Sequence, residues 1–183
     1  MIGMRHLFIL RILLIVFSFY IISLSPAHGF DMAKNYTLPY PPLMPGSIFY
    51  KIRIVEEKLG KVWNFGSFAQ FQYNLSLSDR YLVQARTLIE YQQYLLASEA
   101  LMKSDTYFQK TLPNLSQAIT EKKNILDEKE LLRHAAQKHI DVITMLKTET
   151  PKTFNWQPEN SNATNISFVK MFETSIKIRQ KAL

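Results

Sequence analysis

From residue 47 onward, apolar side chains return every three or four positions with polar ones between them, the period of helices that each bury one face. Ile48, Ile52, Val55, Leu59 and Val62 step by four, three, four and three, which predicts a first amphipathic helix with that stripe packed inward. Ser47 stands where an N-cap hydroxyl would accept from the free amides of the first turn. Asn64-Phe65-Gly66-Ser67 ends the run with a turn glycine and a new cap. The second helix is the most regular: Phe68, Phe71, Leu75, Ser78, Leu82, Ala85, Ile89, Gln92 and Leu96 alternate threes and fours in a seven-residue seam. Tyr81, Leu88, Leu95 and Met102 add a flanking row, so the apolar face is wider than a two-stranded zipper needs and suits a multi-helix bundle. A bend is expected at Tyr91-Gln92-Gln93-Tyr94, where no glycine marks it.

A third series runs through Leu101, Phe108, Leu112, Leu115 and Ile119, and Pro113 must either open a new helix or kink an old one. A fourth, from about Lys122 to Thr148, carries Ile125, Leu132, Ala135, His139, Val142 and Leu146. Residues 151–165 turn to Thr, Asn, Ser and Pro around Phe154 and Trp156, which reads as a long loop. Ile166 to Leu183 is helical again, with Phe168, Val169, Phe172, Ile176 and Leu183 on one face and Lys170, Lys177 and Lys181 on its neighbour. No segment offers a convincing set of alternating strands. The expected fold is all-α: a single-domain, coiled-coil-like helical bundle of four to five helices over residues 47–183.

The N-terminal segment has a different character. Arg5 and Arg11 precede an apolar run from Ile12 to Leu24, and Pro26-Ala27-His28-Gly29 then sets small residues three and one positions before a cut ahead of Phe30. That is the layout of a secretory signal peptide over residues 1–29. The alternative is an uncleaved anchor, because Phe8 to Leu24 reaches the lower edge of a bilayer span. Either way the chain is expected to be exported, periplasmic or extracellular, and the second form would be tethered to the membrane. Residues 30–46 follow as a proline-rich extended arm with Pro39, Pro41, Pro42 and Pro45. A packed or flexible lead-in accounts for it better than an SH3-type ligand does.

Composition narrows the chemistry. With no cysteine among 183 residues, disulfides, thiolate metal sites and cysteine nucleophiles are excluded, and five glycines leave little for a phosphate-cradling loop. The net charge is +7 and falls to +5 if Arg5 and Arg11 leave with the leader. In an exported chain this points to solubility or to anionic envelope surfaces rather than to nucleic acid.

Candidate sites are few. A bundle di-metal centre needs paired Glu-x-x-His motifs, but here only Glu130 and His134 share a helical face, and His139 diverges from His134 by about 140° around the wheel. No metal and no cofactor are expected, and His139 should pack on the apolar face with its ring bonded. No Gly-x-Ser-x-Gly elbow is present, and Glu56-Glu57 and Asp127-Glu128-Glu130 read as solvated faces beside lysines, so no catalytic residue is assigned. Arg53, Glu57, Asp79 and Arg80 are placed together as an ionic network fixing the register of the first two helices. Lys170, Lys177 and Lys181 form a candidate membrane or partner surface. The seam of the second helix could serve an intrachain contact or self-association. Five Asn-x-Ser/Thr sequons occur, at Asn35, Asn74, Asn114, Asn162 and Asn165.

Pro45-Gly46-Ser47-Ile48-Phe49-Tyr50, with Arg53 and Glu57 further on, resembles the opening motif of exported prokaryotic helical proteins of domain of unknown function family 5667. Ser78-Asp79-Arg80-Tyr81-Leu82-Val83-Gln84-Ala85 is similar to that family's Ala-Glu-Arg-Arg-Leu-Ala-Glu-Ala pattern, matching at Arg80, Leu82 and Ala85 and departing at Ser78 and Gln84. Ala135 to Val142 resembles the family's histidine-bearing fourth helix, and the last helix its closing basic segment. The resemblance spans most of residues 45–183. It implies an extracytoplasmic helical bundle and no activity. The functional expectation is a non-enzymatic interaction or structural module contacting an envelope protein or surface; the alternative is a peripheral membrane binder acting through residues 166–183.

Overall fold

Five helices follow one another as the periodicity requires: α1 Ile48–Trp63, α2 Ser67–Glu90, α3 Tyr94–Thr120, α4 Leu126–Glu149 and α5 Phe168–Gln180. The computed structural model describes residues 36–183 apart from Pro42, Leu43, Gly46, Asn160 and Ser161. The expected leader, its cleavage site and the start of the arm lie outside the described residues. The all-α bundle is confirmed with one addition. Within the segment expected to be a loop, β1 Thr153–Trp156 and β2 Thr164–Ser167 pair antiparallel, with Phe154 opposite Ile166. Ile166 and Ser167 therefore belong to a strand rather than to the last helix. Four-residue strands are too short to show an alternation in the sequence; this pair is pinned by its inner side, where Ile166 is buried and the Phe154 ring meets Tyr94 at 5.2 Å.

α2 and α3 form the central antiparallel pair, and small residues let them approach closely. Ala97, Ser104, Thr111 and Ala118, each seven residues after the last, are all buried on α3, facing Ser78 and Ala85 of α2. At the contact, the Ser78 hydroxyl donates to the Ser104 carbonyl at 3.0 Å, and the Ser104 hydroxyl donates back to the Ser78 carbonyl at 2.8 Å. The seam of the second helix is thus filled from within the chain. α4 and α5 close the bundle over two apolar clusters. One holds Leu82, Leu101, Ile143, Leu146, Phe168 and Phe172; the other holds Phe71, Leu75, Phe108, Leu115 and Leu132. The arm packs on both, Leu38 and Met44 on the first and Tyr36 on the second.

Pro113 lies inside α3, which runs through it. The missing amide would have bonded the Gln109 carbonyl, and both residues face solvent, so water can satisfy that carbonyl. Ser47 takes the N-cap position with extended backbone but makes no capping hydrogen bond, and Gly66, at φ +86°, rather than Ser67, caps α2.

The two helix-to-helix turns share one device. After α2, Gln92 adopts φ +58°, its amide donating to the Ile89 carbonyl and that of Gln93 to Leu88, both at 2.8 Å. After α3, Lys122 adopts φ +58°, with Lys122 bonding Ile119 and Lys123 bonding Ala118. Each is a Schellman ending whose left-handed position, the usual place of glycine, holds a residue with a Cβ. Gln92→Gly and Lys122→Gly should therefore each stabilise the fold by about 0.5–1 kcal/mol, and additively, read from urea unfolding midpoints.

Candidate functional site: a buried polar layer and an exposed helix face

Between the two apolar clusters each of α2, α3, α4 and α5 changes from greasy to polar at the same level. Ser78 and Asp79 do so on α2, Ser104 and Asp105 on α3, His139 on α4, and Ser175 and Arg179 on α5. His139 and Arg179 are fully buried, at 0% exposure. The Arg179 Nε–H donates to His139 Nδ1 at 3.0 Å, so Nδ1 carries a lone pair and Nε2 the hydrogen. That Nε2–H donates to Asp79 Oδ1 at 2.7 Å, and the Tyr36 hydroxyl of the arm donates to Asp79 Oδ2 at 2.6 Å. From the other end of the guanidinium, Nη1 donates to Asp105 Oδ1 at 2.5 Å and to the Ser175 carbonyl at 3.0 Å, while Nη2 donates to Ser104 Oγ at 2.8 Å. The Ser175 hydroxyl donates to Asp105 Oδ2 at 2.6 Å, and the guanidinium lies 5.1 Å from the Phe108 ring centre. One chain of hydrogen bonds ties the arm to α2, α4, α5 and α3.

The electrostatics follow from burial. Removal from water holds the His139 pKa below its ordinary value, with Arg179 adding to that effect and Asp79 and Asp105 opposing it. Burial also lowers the Arg179 pKa against the pull of Asp105. Desolvation, then the neighbouring Asp79 carboxylate, raises the Tyr36 phenol well above its usual range. Although the Asp–His pairing has the form of a general-base dyad, both ring nitrogens are engaged and no solvent reaches the ring, so His139 has no free lone pair to offer a substrate.

The second feature is α1, whose orientation is the reverse of the one expected. Its bundle-facing side is polar. Tyr81 donates to Glu57 Oε2 at 2.6 Å, Tyr107 donates to Oε1, and Tyr73 donates to the Glu57 carbonyl. The Tyr81 and Tyr107 rings stack at 5.8 Å. Desolvation, followed by the hydrogen bond to Glu57, raises both phenols above their usual range. At Gly60 a Cβ would meet the Tyr73 ring at 2.8 Å, so a side chain there would push the helix away. The stripe expected inward faces water: Ile52 is 55% exposed, Val55 55%, Leu59 51% and Val62 63%. Trp63 and Phe65 continue it at 76% and 79%.

The proposed ionic network of Arg53, Glu57, Asp79 and Arg80 is therefore divided. Asp79 points into the core to His139 and Tyr36, and Glu57 is held by tyrosines. Arg53 and Arg80 line a shallow recess with Glu57 and Tyr81, and among the described residues neither pairs with a carboxylate. Asp79 and Arg80 are neighbours in sequence, but α2 buries Asp79 on one side and presents the exposed Arg80 beside Arg53 of α1 on the other. Lys170, Lys177 and Lys181 are exposed as expected, but the buried face of α5 is Phe168, Phe172, Ser175 and Arg179, rotated from the expected one because Arg179 turns inward to Asp105. Leu183 is left outside. His134 and Glu130 do meet at 2.8 Å on the surface of α4, and the Arg133 hydrogen bond, with His134 contributing, draws Glu130 down to about 2. Among the described residues no group of three metal-ligating side chains converges, and no helix is long and apolar enough to cross a membrane. Asn74 is buried and bonded to the Gln70 carbonyl, whereas Asn162 and Asn165 are exposed at the hairpin.

Sequence reasoning found His139 on an apolar face with its ring bonded. Its partner Arg179, and Asp105 and Tyr36 further along the same chain of hydrogen bonds, carry no role in that expectation; the available signal is polar residues recurring at core positions of several helices.

The chain is thus a helical bundle with a hydrogen-bonded polar layer and an exposed first helix. The family described as Domain of unknown function (DUF5667) matches residues 42–153, more than half of the chain, and the protein belongs to that family. No curated protein and no solved structure matches it.

Because burial disfavours the charged form of His139 in the folded state, the unfolded chain takes up its proton first as pH falls below about 6.5. Stability should then fall as pH drops below that point, by up to about 1.4 kcal/mol per pH unit. His139→Gln should flatten that slope in denaturant titrations, and an unchanged slope would mean that the ring titrates normally inside the fold. Arg179→Met, which leaves the buried Asp79 and the part-buried Asp105 without their cation, should lower stability by about 3 kcal/mol. Adding Asp105→Asn should recover part of that loss in the same unfolding assay.

Proposed function

We propose that the protein is an exported, non-enzymatic interaction module of the cell envelope, with the outer stripe of α1 as its contact face. The carrying observation is that stripe. A helix fastened by its polar side leaves at least four aliphatic side chains and a tryptophan more than half exposed, a contiguous patch of the kind that marks interaction surfaces. Three features support a non-catalytic reading. The Asp79–His139–Arg179 layer is saturated with internal hydrogen bonds, the chain has no cysteine, and the Glu57 oxygens are both occupied by tyrosine hydroxyls. The leader-like residues 1–29 support export. The apolar side of α5, which insertion of residues 166–183 into lipid would require, is committed to the core through Phe168 and Phe172, so membrane binding through that segment has less support than contact through α1.

Ile52→Ser with Leu59→Ser separates a contact face from a core. The double variant should unfold within about 1 kcal/mol of the parent, since exposed sites contribute little. In native electrophoresis of envelope extracts it should migrate faster than the parent. A loss of several kcal/mol, the signature of core truncation, would refute the reading.

A further inference from the structure

We propose that the occupant of the α1 stripe is α1 of a second copy of this chain, lying parallel to it. The inference rests on the reading of α1 as a contact face and names what covers it. Ile52, Val55, Leu59 and Val62 keep the four-three alternation of a coiled-coil seam, Ile52 and Leu59 at one core position of the heptad and Val55 and Val62 at the other. In that frame Glu57 stands at the position opposite the seam, and Glu57 is the residue that Tyr73, Tyr81 and Tyr107 hold against the bundle. The tyrosine clamp thus turns the seam directly away from the chain's own core.

The flanks decide between occupants. Lys51 and Lys58 precede the first core position of each heptad, and Glu56 and Trp63 follow the second. In a parallel pair each flank meets the opposite flank of its mate: Lys51 faces the second copy's Glu56, and Lys58 faces its Trp63 ring, once on each side of the two-fold axis. An antiparallel pair would set lysines against lysines. An anionic lipid surface would be matched by the lysine flank and opposed by Glu56.

The absence of cysteine makes the geometry directly readable in the full chain. Ile52→Cys and Val62→Cys, introduced singly and oxidised in native envelopes, should each form disulfide-linked homodimers several-fold more than Lys138→Cys, an exposed control on α4. Facing seam positions in a parallel pair fall within disulfide reach. Lys51→Glu should reduce the Ile52→Cys crosslink several-fold, and Glu56→Lys added to it should restore the crosslink. Crosslinking no better than the control overturns the proposal. So does a mixed 52-to-62 adduct when the two variants are co-expressed, without self-crosslinks, which would mark an antiparallel pair, and so does quenching of Trp63 by brominated phosphatidylglycerol vesicles in the absence of crosslinks. If crosslinks fail while Ile52→Ser with Leu59→Ser still releases a complex, the contact face stands and its occupant is a different protein.

Discussion

A guanidinium removed entirely from water must find an acceptor for its donors, and in this bundle the search for acceptors sets the arrangement of four helices and the arm. Arg179 reaches Asp105 and Ser104 on α3, His139 on α4 and the Ser175 carbonyl on its own helix. His139 passes the connection to Asp79, and Asp79 to Tyr36. Apolar packing on either side would tolerate small slides of one helix along another, because Leu against Leu is nearly indifferent to a shift of a few ångströms. The polar layer is not indifferent. A slide of one turn in any helix would strand a buried charge, and the several kcal/mol attached to that event penalise the competing registers more than they deepen the native one.

The close pairing of α2 and α3 depends on the same level of the bundle. Ser78 and Ser104 exchange hydroxyl-to-carbonyl bonds, and Ser104 Oγ still accepts from Arg179. A larger side chain at either position would separate the backbones and move Asp79 and Asp105 away from their partners. The small-residue heptad of α3 is thus a condition for the charge layer as well as for packing.

Much of this was legible in the apolar period: a bundle of four to five helices, the bend at Tyr91–Tyr94 and the burial of His139. What periodicity cannot encode is what a face meets. The stripe of α1 has the same four-three spacing as the seam of α2, yet one faces water and the other α3. The difference lies in Glu57 and in the hydroxyls of Tyr73, Tyr81 and Tyr107, whose convergence across three helices no single helix's period displays. Arg179 was hidden for the opposite reason, since a cation is assigned to water by default and only Asp105, on another helix, overrules that. The hairpin escaped because four-residue strands carry no measurable alternation, and the left-handed Gln92 and Lys122 because neither is glycine.

The family-matched segment, residues 42–153, contains Asp79, Asp105 and His139 but neither Arg179 nor Tyr36. Taken alone it would hold the buried Asp79 and the part-buried Asp105 with no guanidinium between them, and it would leave Leu101, Ile143 and Leu146 without Phe168 and Phe172. The unit that can satisfy its own buried charges therefore extends through α5 at one end and to Tyr36 at the other. α1 stands outside this closed set. Its hydrogen bonds run to the outer tyrosines of α2 and α3, and it shares no member with the charge layer. The helix that presents the exposed face can thus engage a partner without disturbing the register of the bundle that carries it.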